Sequence, residues 1–121
     1  TSSLRFKNCY LVSGLSVSSD ERMKRDIRPL SSAMALVRAL KPIEYLLASE
    51  PDGAPVHMGF GARQVQEALA AAGLGERAAV DGTDPDRLAL IYAELIAPLA
   101  GAVQQIDRRL RLLEAACGEG S

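Results

Sequence analysis

"YAELIAPLAGAVQQIDRRLRLL", residues 92–113, places apolar side chains at Tyr92, Ile96, Leu99, Val103, Ile106, Leu110 and Leu113. The steps between them are 4, 3, 4, 3, 4 and 3 residues. That is a heptad seam, with Ile96, Val103 and Leu110 at one core position and Tyr92, Leu99, Ile106 and Leu113 at the other. A single amphipathic helix packed on its own domain is one solution. A seam kept for three heptads and ringed by Gln104, Gln105, Asp107, Arg108, Arg109 and Arg111 favours packing between chains. Ile106 at the second core position points to three or four strands rather than two, because β-branched residues there disfavour a plain dimer. Upstream, Thr83 or Asp84 is expected to cap this helix with Pro85 in its first turn, giving a helical part over 84–116. Pro98 interrupts the hydrogen-bond ladder near Glu94 and predicts a kink or a fresh start.

Working outward, "ARQVQEALAAAG" (62–73) reads as a short alanine-rich helix that Gly73 can end. Before it, "IEYLLA" and "VHMGFG" flank "SEPDGAP", where Asp52-Gly53 is a hairpin signal. Another helix is predicted from Ser31, with Met34, Leu36, Val37 and Leu40 on one face, Ser31 or Ser32 as cap and Pro42 as stop. Tyr45, Met58 and Phe60 are expected to pack the hairpin against that helix. The first stretch, "SLRFKNCYLVSGLSVSS" (3–19), alternates apolar Leu4, Phe6, Tyr10, Val12, Leu15 and Val17 around Gly14 and reads as one or two short strands. It has little core of its own and resembles the end of an upstream β-rich body. The fold class is α+β: a small helix-plus-hairpin body with a long C-terminal helix.

Composition narrows the function classes. The chain has 121 residues, enough for one domain without disulfide or metal staples. A net charge of −1, with 24% charged residues, leaves no global field to attract nucleic acid or anionic lipid. No apolar run approaches the ~20 residues of a membrane span, so no membrane partner is expected. Cys9 and Cys117 lie near opposite ends, and neither has a second ligand at a metal-binding spacing. Two free thiols, no metal site and no cofactor are therefore expected.

The densest polar stretch is "SSDERMKRDI", 18–27. As structure, Ser18, Ser19 or Asp20 caps a short helical turn and the charges are solvated. As a nucleic-acid patch it is weak, because Asp20, Glu21 and Asp26 are interleaved with Arg22, Lys24, Arg25 and Arg28 and no aromatic is available for stacking. As a catalytic site, Ser19 needs a base, and Lys24 can serve only in its neutral form, which burial or the neighbouring cations Arg22, Arg25 and Arg28 would favour. On a continuous helix five positions rotate by about 500°, leaving the two side chains roughly 140° apart. The chain must turn between Ser19 and Lys24 for them to meet.

Four blocks taken in order, "VSSDERMKRDIRPL", "ALKPIEYLL", "HMGFGARQVQEAL" and "DRLALIYAELIAPLAGAVQQIDRRLRLLE", resemble the intramolecular chaperone auto-processing domain found at the C-terminus of bacteriophage tailspikes, endosialidases and tail fibres. The self-cleaving region of myelin regulatory factor is related. The resemblance covers about residues 16 to 114 and includes a complete Ser-Asp-x-Arg-x-Lys core, Ser19 to Lys24.

The resemblance implies a homotrimer whose long helices form a trimeric coiled coil. It also implies a role in bringing three upstream fibre chains into register, followed by a single-turnover self-cleaving serine endopeptidase step with Ser19 as nucleophile and Lys24 as base. The cut would fall between Ser18 and Ser19, with the neighbouring bond as the alternative. Residues 1–18 would then be the end of the upstream fibre or stalk, and 19–121 the chaperone. Such a domain works in the host cytoplasm during virion assembly and is released from the mature virion protein. A triple-stranded β fibre needs this help, since non-local pairing is slow and leaves open edges. Two rival readings are a homotrimerisation cap of a fibre or adhesin that does not cut, and a coiled-coil adaptor that binds a partner helix. Backbone amides of Asp20 to Arg22 are the expected oxyanion donors. His57, the single histidine, is expected in a structural place in its strand, with orientation of the dyad as the alternative.

Overall fold

The computed structural model describes residues 8–119. It is α+β, with three α-helices, the last of them long, and two small antiparallel hairpins among the described residues. Helix α1 (Ala33–Ala39) begins after Ser32, as the sequence predicts, but Ser32 lies at φ 62° and makes no side-chain cap. The helix stops at Leu40, whose extended backbone leads into Lys41-Pro42. Its end is closed from another element. The Gln64 side chain donates to the Ala39 carbonyl at 2.7 Å, a group that a helix C-terminus leaves open, and accepts from the Lys41 amide just beyond it at 3.0 Å.

Strands β1 (Ile43–Tyr45) and β2 (His57–Gly59) pair antiparallel, with Ile43 opposite Gly59 and Tyr45 opposite His57. Asp52-Gly53 does make a turn, in which the Ala54 amide donates to the Pro51 carbonyl and Gly53 takes φ 89°. That turn is the tip of a long loop rather than a two-residue hairpin connection. Met58 departs from expectation: it is 84% exposed. Strand residues alternate faces, and with His57 and Gly59 turned inward Met58 faces solvent. Tyr45 stacks on His57, and Phe60 packs at the margin of the core.

Helix α2 (Ala62–Ala71) buries Val65, Ala68 and Leu69. Gly73 ends it as predicted, at φ 75°, and the Leu74 amide reaches back to the Leu69 carbonyl at 2.9 Å in the manner of a Schellman closure. Two-residue strands β3 (Val80–Asp81) and β4 (Ala89–Leu90) follow. The predicted helix start at Thr83, Asp84 and Pro85 is wrong, because these residues form the connection between β3 and β4. Asp81 Oδ1 accepts from the amide and hydroxyl of Thr83, and Asp84 Oδ1 from the amide of Asp86, so the polar side chains that resemble a helix cap stabilise turns instead. The helix starts later. A 3₁₀ turn at Tyr92–Leu95 leads into α3 (Ile96–Glu119), and the α-helix proper begins two residues before Pro98, the fresh start that the proline predicts.

One face of α3 is covered by α1. Leu95, Pro98 and Ala102 are buried there, and Gly101 allows the close approach, since a Cβ at that position would lie 2.9 Å from Ala33 Cβ. Leu36, Leu40, Val65, Ala68, Leu69, Ala79 and Leu95 form the core. Leu36 and Val65 are fully buried, worth roughly 1.5–3 kcal/mol each. The opposite face of α3 is uncovered: Ile96, Val103 and Leu113 are each more than 60% exposed, and the whole Tyr92 to Leu113 seam faces outward.

Between Asn8 and Asp20 no strand forms. Tyr10, Val12, Leu15 and Val17 are exposed, and no second edge pairs with them among the described residues; Leu4 and Phe6 lie outside the described residues. The accessible surface is 10401 Å². A compact monomer of 12.9 kDa would expose about 6,300 Å², so about 4,000 Å² is in excess.

Candidate active site

The turn that the Ser19 to Lys24 spacing requires is present. Asp20, in extended conformation, precedes a single 3₁₀ turn at Glu21–Met23, and Lys24 follows it with φ −111° and ψ 155°. The Met23 amide donates to the Asp20 carbonyl and the Lys24 amide to the Glu21 carbonyl, both at 3.0 Å. The Asp20 carboxylate accepts from the Arg22 amide at 3.0 Å, which makes Asp20, among the three candidates, the cap. Because Ser19 and Lys24 stand outside the turn at either end, their side chains fold back on one another. Lys24 Nζ donates to Ser19 Oγ at 2.7 Å.

Arg22 folds its guanidinium onto the same carboxylate, with Nη2 at 2.7 Å from Oδ2 and Nε at 3.2 Å from both oxygens. The guanidinium and the amide of Arg22 together hold the Asp20 carboxyl below the usual carboxylate range, and the pair raises Arg22 in turn. Arg22 is therefore ion-paired rather than turned towards Lys24. Its amide is also occupied, which leaves the amides of Asp20 and Glu21, out of the three expected oxyanion donors, without a partner among the described residues.

Every residue from Asn8 to Ser32 is exposed. The segment reaches the body at Leu30, which lines an apolar cleft of about 220 Å³ together with Leu36, Leu69, Leu74, Leu95 and Pro98. His57 is occupied within the hairpin. Its Nε2 is 2.8 Å from Glu50 Oε1, an oxygen that also accepts from the Leu47 amide at 2.7 Å. The histidine thus pins the β1–β2 loop and makes no bond to Ser19 or Lys24.

Residues 19–74 match a family model described as chaperone of endosialidase. Over this segment the chain is similar to that family. The match to the chaperone family begins on Ser19 itself and takes in Lys24, α1, the first hairpin and α2; β3, β4 and α3 lie beyond it. The model bears the name of a peptidase family. Comparison with curated proteins gives no match, and comparison with solved structures gives none either.

Among the described residues no three His, Cys, Asp or Glu side chains converge as a metal site, and no helix is long and apolar enough to cross a membrane. Cys9 and Cys117 are free and exposed. Sequence reasoning missed two contacts that shape the domain. The Tyr92 hydroxyl accepts from the Phe60 amide at 3.1 Å, tying the head of the seam to the hairpin, and a Cβ at Gly59 would collide with that hydroxyl. The other is the Gln64 closure of α1, for which neither residue type nor spacing gives a signal.

Proposed function

We propose that the domain is the C-terminal intramolecular chaperone of a longer fibre or tailspike polypeptide. It assembles as a homotrimer through α3, sets three upstream chains in register and then releases itself by cutting between Ser18 and Ser19. The observation that carries this reading is the 2.7 Å contact between Lys24 Nζ and Ser19 Oγ at the first residues of the chaperone-family match. It is within the reach required of a nucleophile and its base.

The chemistry balances without a cofactor. A neutral Lys24 accepts the hydroxyl proton as Ser19 Oγ attacks the Ser18 carbonyl carbon, so the observed contact runs with the hydroxyl as donor in the reactive form. The tetrahedral intermediate collapses with loss of the Ser18–Ser19 C–N bond, and the proton passes from Lys24 to the leaving α-amine. An ester of Ser18 on Ser19 Oγ remains. Water hydrolyses it to a Ser18 carboxylate and a free Ser19 hydroxyl.

The uncovered seam supports the assembly half of the proposal. Apolar residues at heptad spacing face outward along α3, an exposed stripe of the kind that another chain covers. Three copies packed by Tyr92, Ile96, Leu99, Val103, Ile106, Leu110 and Leu113 would cover that stripe. Fused to its upstream body, the wild-type chain should yield two fragments. Ser19→Ala and Lys24→Ala should each leave one full-length chain that still assembles.

A further inference from the structure

We infer that Asp20 is the positioning residue of the self-cleavage reaction, capping the turn between Ser19 and Lys24 so that the two side chains meet, with Arg22 as its supporting partner. This rests on the Ser19–Lys24 reading above and adds a residue to it. Five residues in extended form would separate Ser19 and Lys24 by about 17 Å, and a continuous α-helix would put them on different faces. Only a tight reversal brings them together. Beside the bond from the Lys24 amide to the Glu21 carbonyl, the polar bonds that make this reversal fall on Asp20: its carboxylate takes the Arg22 amide, its carbonyl takes the Met23 amide, and the Arg22 guanidinium closes over the carboxylate.

No buried side chain shares that task. The 3₁₀ turn contains no buried residue, and Met23 is 82% exposed, so apolar packing within the chain does not hold the turn closed. A single 3₁₀ turn is weak by itself, which makes its cap decisive. The lowered pKa of Asp20 agrees, since the ionised carboxylate is the form that both Arg22 groups bind. The guanidinium pair counts for less than the cap. The Arg22 side chain is 88% exposed, and an exposed ion pair contributes little.

The test uses the chain fused to its natural upstream body. Cleavage is followed over time on a denaturing gel, and assembly of the same samples by sedimentation. Asp20→Ala removes the cap and should slow cleavage about a hundredfold with assembly intact, the scale expected for displacing a reacting group by about 1 Å. Asp20→Asn and Asp20→Ser keep an acceptor for the Arg22 amide and should retain rates within about tenfold of wild type, whereas Asp20→Glu, too long for the two-residue cap, should behave as alanine does. Arg22→Ala should change the rate only a few-fold.

Wild-type cleavage in Asp20→Ala, with Ser19→Ala inactive, would overturn the positioning role and leave the dyad standing. Cleavage that survives Ser19→Ala would remove the dyad and the positioning role together. Asparagine and serine variants as slow as alanine would mean that the charge of Asp20 matters and not its cap. Loss of assembly in Asp20→Ala would make it a folding residue. Either result would overturn the inference.

Discussion

The body and the dyad turn are held by different forces. In the body, Leu36, Val65 and Leu69 are at most 3% exposed, and bonds such as Gln64 to Ala39 and Phe60 to Tyr92 join residues 25 and 32 positions apart. In the turn every residue is exposed, and its bonds span only two to five positions. Non-local burial stabilises a fold against unfolding as a unit, while a local polar turn can be rearranged without consequence for the rest. The lesson is separability. The proposed chemistry at Ser19 should be removable without unfolding the body, and the body or its proposed assembly should be breakable with Ser19 and Lys24 untouched.

The largest effect should come from the uncovered face of α3. Ile106→Asp with Leu110→Asp would place six carboxylates in the proposed three-stranded core, and each unpaired buried carboxylate costs several kcal/mol. Sedimentation should then find a monomer. We further propose that cleavage follows assembly, so the fused chain should also stay uncut. A monomer that cleaves at the normal rate would show that the turn works alone.

Next comes the core. Leu36→Ala should destabilise the body by about 2–5 kcal/mol, a large part of the total for a domain of this size, and thermal melting would report it. Smaller again is Gly59→Ala, whose methyl group meets the Tyr92 hydroxyl. Overpacking of this kind costs about 1–3 kcal/mol, and adding Tyr92→Phe, which removes the obstructing hydroxyl, should recover part of the loss of melting temperature.

The smallest effect on global stability belongs to the turn. The folded pKa of Asp20 is depressed, so the cap's contribution is fully present above the unfolded carboxylate value of about 3.9 and disappears as pH falls through the lower folded value. An NMR titration should show the Arg22 amide losing its hydrogen-bonded shift in that acidic window, while amides of α2 stay protected. Loss of both together would mean that the turn and the body are not separable.

Much of this contrast was legible in the sequence where one residue decides one local conformation. Gly73 ends α2, Pro42 follows the end of α1, and Pro98 marks the restart of the last helix, because glycine admits the left-handed closure and proline restricts the backbone, each by itself. The spacing of Ser19 and Lys24 required a turn, and Asp20 was among its candidate caps. Thr83-Asp84-Pro85 misled because Asp and Thr side chains bond the next amides equally well in a turn and at a helix start. The strands read into Tyr10 to Val17 need a second edge, which no pattern within the segment supplies. Met58 was misplaced because an apolar side chain in a short strand does not reveal which face is covered. The Tyr92 to Phe60 bond could not be read at all, since it depends on where two distant elements meet.

The central claim, that Ser19 cuts the bond before it with Lys24 as base, is tested most directly by time courses on the fused, assembled chain in wild type, Ser19→Ala and Lys24→Arg, followed by denaturing gel and by N-terminal sequencing of the small fragment. Wild type should give two fragments, the smaller beginning at Ser19; both variants should stay whole while sedimenting as wild type does, since alanine lacks the nucleophile and a guanidinium does not take up the proton. Cleavage in Ser19→Ala at the wild-type rate, or a small fragment beginning elsewhere in the chain, would contradict it.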